Sequence, residues 1–280
     1  MSDPAAASLP TLAPIAGYLT LLELSVGTVA AAYVIDTVGR VGRGYVGSTA
    51  VICTAVAGVA LVIGINIPTD VTLLHTAISG DALSSLIHWS IGYIGALLAL
   101  AFFCWVGTDA ARRVVGAASL AVGGACIGKA AVAVGPAISG APEAVAVLVP
   151  ATFVTGAALG GMLLGHWYLV APSLSFRPLR QMVLLVLGAV GVEAAVLAGV
   201  LVAATPQARA ELLSAYALPF WLLVIGAGIV FTALVTLLTG HFARIRANQP
   251  ATAMLYVLII SVLMGTVPAH LLFFVTGTPV

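Results

Sequence analysis

Four histidines stand in runs that are otherwise almost wholly apolar: His88 in SSLIHWSIGYIGALL, His166 in LLGHWYLV, His241 in TGHFARIR and His270 in VPAHLLFF. Three further ionisable residues, Glu23, Lys129 and Glu193, interrupt runs of the same kind. An unpaired ionisable group costs a few kcal/mol or more in hydrocarbon, so each of these seven is a functional candidate. An imidazole brings a neutral nitrogen to a metal without carrying charge into an apolar medium. A carboxyl group in apolar surroundings is suited to exchanging protons, and a buried ammonium can hold an anionic group.

What positions them is dictated by composition. Of 280 residues, 62% are hydrophobic and 7% charged, with a mean hydropathy of +1.20, far from the balance of a water-soluble domain. A helix needs roughly 20 apolar residues to cross the hydrocarbon core and satisfies its own backbone there. The predicted fold is therefore all-α, a single polytopic bundle of eight transmembrane helices: Pro14–Asp36, Tyr45–Ile65, Ser84–Val106, Val114–Gly135, Ala146–Val170, Met182–Ala204, Pro219–Gly240 and Thr252–Val275.

The arginines agree with this count. Arg40 and Arg43 follow the first span, Arg112 and Arg113 the third, Arg177 and Arg180 the fifth, Arg244 and Arg246 the seventh, while the remaining turns carry only Arg209. The positive-inside rule then places the basic loops in the cytoplasm and both termini outside a cell membrane. The N-terminal MSDPAAASLP lacks a basic leader and reads as a translocated tail. A net charge of +1 is consumed by orientation and gives nucleic-acid binding no support. Cys53, Cys104 and Cys126 lie inside spans without ligand spacing and read as core filler. In the longest predicted outer loop, His75 stands near Asp70 and Asp81, a solvated group or a weak metal site. Gly156, Gly160, Gly161 and Gly165 form a stripe for close helix packing, with room for a flat ligand as the alternative.

Counting about 1.5 Å of rise per residue from each span's middle puts His88 and His270 roughly 10 Å towards the outer side, and His166 and His241 roughly 12 and 17 Å towards the inner side. Two imidazoles at each level, on four helices, is an arrangement that could ligate one or two b-type haems. Gly92 and Gly95 follow His88 on one helix face, and Pro268 precedes His270 where a bend could re-aim it. Arg177, Arg180, Arg244 and Arg246, with Lys129, are the candidates for propionate partners. Each histidine also has a plainer reading: His166 with Trp167 and Tyr168 fits an interfacial aromatic belt, His241 a helix entering the headgroups, His88 and His270 hydrogen-bonded packing groups. In arrangement the four residues resemble the axial ligands of membrane cytochromes b, departing from them in that no helix carries two.

Glu23 and Glu193 fall near mid-span, and Lys129 roughly 7 Å outward of the middle by the same rise. A Glu–Lys ion pair is one expectation; proton exchange at a quinone pocket or along a transport path is the other. No GxSxG, HExxH, Walker A or aspartate-rich motif is present. The leading expectation is an electron-transfer subunit of a quinone-linked oxidoreductase, with haem b, quinone, membrane lipid and further subunits as partners. A proton-coupled permease using Glu23, Glu193 and Lys129, and a cofactor-free anchor of a larger complex, stand beside it.

Overall fold

The computed structural model describes residues 9–39, 41–68, 72–73, 76–137, 140–171 and 173–279. Arg40, Asp70 and His75 lie outside them. Eight helices are long and apolar enough to cross a membrane. They are α1 (Leu9–Gly39), α2 (Arg43–Gly64), α3 (Gly80–Val106), α4 (Asp109–Val134), α5 (Ala141–Val170), α6 (Arg177–Ala203), a seventh span, and α9 (Asn248–Thr276). The seventh span begins as a π-helical segment, Pro219–Phe231, and continues as α8 (Thr232–Arg244). A short helix, α7 (Pro206–Ser214), and a two-residue antiparallel ladder, Thr72–Leu73 with Thr76–Ala77, lie between spans.

The helices begin where side chains can satisfy first-turn amides. Ser79, Thr108 and Thr205 accept from the backbone N–H of Ala82, Ala111 and Ala208. Asp81 and Asp109 add negative charge to first turns, where the helix dipole favours it. At the other extreme of the chain, α9 stops at Gly277, whose φ of 67° is left-handed.

Helix α1 is the axis of the bundle, packing on α2, α4, α5, α6 and α9. Its crossing with α5 is backbone against backbone, because Gly27 and Gly156 face each other and a methyl group on either would collide with the backbone of the other helix. Gly160 abuts Ala31 and Met182, and Gly161 and Gly165 abut Leu255. The glycine stripe of α5 is thus filled by packing, with no slot left for a flat ligand. Outward-facing side chains such as Trp105, Val202 and Leu218 are apolar and exposed, as lipid contact requires.

One end of α1 is tied down by charge. Asp36 is buried and pairs with the buried Arg112 of α4 at 2.5 Å, while its second oxygen accepts from the Gly42 backbone N–H at 3.3 Å. Arg43 bonds Asp109 at 2.9 Å and the Gly107 carbonyl at 2.7 Å. The ends of α1, α2, α3 and α4 on the basic face are joined by this network.

Candidate functional site

Towards the other end of α1, Thr20 and Glu23 share one helix face and meet His270 of α9. All three are buried. The Thr20 hydroxyl donates its proton to the Ala16 carbonyl at 2.8 Å, and a carbonyl can only accept. Thr20 Oγ1 also lies 3.0 Å from His270 Nδ1, and it accepts from an Nδ1–H when its own proton goes to the Ala16 carbonyl. In that arrangement Nδ1 carries a hydrogen and Nε2 faces Glu23.

Nε2 lies 3.3 Å from Glu23 Oε1. The approach is that of an ion pair, but it lies off the line of a hydrogen bond, and neither Glu23 oxygen nor Nε2 has an aligned partner among the described residues. With no proton between them two lone pairs face each other; with two protons, two donors do. One shared proton makes the pair complementary, either as a neutral carboxylic acid and imidazole or as carboxylate and imidazolium.

Beside this pair is a cavity of about 30 Å³, lined by His270 and by Glu193 of α6. Its walls include Pro150 and Val154 of α5, Gly228 of the π segment and Thr266 of α9. That volume holds about one or two water molecules. Glu193 is half-buried and lies within electrostatic reach of both Glu23 and His270.

The π segment forms one wall because small residues let it. A methyl on Gly228 would come within 2.9 Å of Gly265 Cα on α9, so the two helices touch through their backbones. Where the π segment meets α8, the Thr232 N–H bonds the Ala227 carbonyl five residues back, and the hydroxyls of Thr232 and Ser261 donate to the same oxygen. Such helices cluster at functional sites.

The histidines expected to pair do not. His88 is exposed on α3, its Nδ1 2.7 Å from its own helix's Ser84 carbonyl, and α3 packs on α2 and α4 whereas α9 packs on α1, α5, α8 and the π segment. The smooth strip of Gly92 and Gly95 exists but meets only open space. His166 is exposed and its partner is Tyr256 at 3.5 Å; His241 is exposed against Phe242. Helices α5 and α8 each pack on α6 and α9. Equal depth says nothing about which way a ring points, and here the rings of His88, His166 and His241 point outward. His270 is buried against Thr20 and Glu23 of α1 and meets none of the other three, so these residues do not fit a bis-histidine haem. Among the described residues, no three His, Cys, Asp or Glu side chains converge as metal ligands.

Arg177, Arg180, Arg244 and Arg246 are exposed on the basic face, far along the chain's helices from His270. Lys129 is half-buried on α4, and the partner of Glu23 is His270, so the expected Glu–Lys pair is not formed. Thr20 was silent in the sequence, although its i, i−3 relation to Glu23 places both on one helix face. No protein family, curated protein or solved structure matches the chain.

Proposed function

We propose that this protein is a proton-coupled transporter of a cell membrane, in which Glu23, His270 and Glu193 bind and release the coupling proton. The reading is supported above all by one observation: a carboxyl and an imidazole, sealed among helices, are complementary with a single proton between them and border a cavity of water size. Water in that cavity would carry the proton between Glu193 and the pair. The two glycine-lined crossings, Gly27 with Gly156 and Gly228 with Gly265, lack interlocking side chains and suit helices that shift during a transport cycle. Positive-inside orientation sets the basic loops in the cytoplasm and both termini outside.

The test is a pH jump applied to proteoliposomes on a solid-supported membrane. Wild-type protein gives a transient proton-binding current; Glu23→Gln and Glu193→Gln, which keep shape but cannot ionise, abolish it. A wild-type current no larger than that of empty liposomes, or full current in both variants, overturns the reading.

A further inference from the structure

Orientation requires arginines on the basic face, but the two halves of that face treat them differently. In the α1–α4 half, Arg43 and Arg112 are bonded to Asp109 and Asp36, and among the described residues only the exposed Arg113 there has no acidic partner. In the α5–α9 half, Arg177, Arg180, Arg244 and Arg246 have no acidic partner among the described residues. The described acids are otherwise accounted for. Glu23 and Glu193 lie within spans. Asp81 and Glu143 open α3 and α5, and Glu211 is in α7, all on the opposite face.

The ends of α6 and α8 that carry these cations are also joined. Arg180 reaches from the start of α6 to the end of α8, with Nε 3.5 Å from the Ala243 carbonyl and Nη2 3.3 Å from the Arg244 carbonyl. Arg177 stands one turn earlier on α6, at the helix end whose dipole disfavours a cation, so helix stability does not explain it. Arg246 has a φ of 58°, the only positive value at a non-glycine among the described residues, a conformation that side chains rarely adopt. Tyr256 meets His166 on the same face, and such amphipathic rings sit at headgroup depth.

We infer that this cluster binds the phosphate of an anionic phospholipid headgroup, with Arg177, Arg244 and Arg246 as its ligands and Arg180 as the strut that holds the two helix ends together. Guanidinium forks match phosphate oxygens in pairs, and the lipid supplies the negative charge that the α1–α4 half obtains from Asp36 and Asp109. The inference is independent of the proton site.

The full-length protein is reconstituted in phosphatidylcholine vesicles with trace spin-labelled phosphatidylglycerol or phosphatidylcholine, and the motionally restricted fraction of each probe is measured. Wild type is expected to favour phosphatidylglycerol by about fivefold or more. The triple variant R177Q/R244Q/R246Q is expected to bring the two probes close to parity, while Arg113→Gln on the α4 side leaves the preference intact. Should the triple variant not purify, each single glutamine substitution must lower the preference. Equal restriction of both probes by wild type, or an undiminished preference in the arginine variants, overturns the inference. Competition by millimolar inorganic phosphate that removes the preference assigns the site to a soluble anion and overturns the lipid as its occupant.

Discussion

Helix α1 carries two buried acid–base pairs, one towards each end, and they are built differently. Asp36 meets Arg112 at 2.5 Å, and both Asp36 oxygens have partners, leaving only Arg112 Nε without one. Glu23 meets His270 at 3.3 Å and off-axis, with both carboxyl oxygens and Nε2 lacking aligned partners. Arginine does not give up its proton in proteins, whereas histidine does so near neutral pH. The first pair therefore fixes two charges in place, and the second can change state without losing its partner. Burial alone does not mark a group as functional; what separates the pairs is whether the proton between them has two places to be.

The sharpest way to break this contrast is at Asp36. Asp36→Ala leaves a buried guanidinium with only the exposed Asp109 carboxylate, 3.7 Å away, and is expected to cost about 3 kcal/mol, seen as a large fall in the thermal unfolding midpoint in detergent. Glu23→Gln should change that midpoint little while abolishing the proton current; similar melting of the two variants would erase the distinction. Next in size is Gly27→Ala, which drives a methyl into the Thr152 carbonyl at the α1–α5 crossing and should cost about 2 kcal/mol, within the range for overpacked cores. Unchanged melting would show that this crossing can open.

Thr20→Val removes the hydroxyl that partners His270 Nδ1 and strands a buried polar nitrogen, a loss of about 1 kcal/mol or somewhat more. The same change should move the pH at which the proton current is half-maximal, and Thr20→Ser should restore it; an identical pH profile for valine and threonine would mean that the hydroxyl does not set the tautomer. Smallest of all is Gly92→Ala. A methyl there meets nothing, so melting should stay within about 0.5 kcal/mol of wild type.

The spans were legible because hydrocarbon imposes one length and one polarity on every helix that crosses it, and arginine placement confirmed their number. Ends moved outward by up to five residues, as at Leu9 for Pro14 and Asp109 for Val114, because helices continue past the apolar run into their caps. The π segment was illegible: PFWLLVIGAGIVF is equally apolar whichever way its amides bond. Glu23, Glu193 and His270 stand out in the sequence as residues too polar for their surroundings, but not as neighbours. Counting from span centres puts Glu23 and His270 about 7 Å apart in depth, and their contact shows that α1 and α9 are staggered. Which helices adjoin, and which faces they turn inward, is tertiary information that no single span contains. For that reason four histidines at two matching depths suggested ligand pairs that the packing does not make.

The oxygen of Ala227 gathers the Thr232 amide and the hydroxyls of Thr232 and Ser261, more donors than its two lone pairs comfortably serve. Such a knot anchors the seventh span to α9 at one level. Any lengthening or unwinding of the π-coiled stretch must then be taken up on its Pro219 side, next to the water-sized chamber, while α8 and the turn beyond it stay still. Amides from Phe220 to Gly226 should accordingly trade hydrogen for deuterium sooner than those from Thr232 to Thr239.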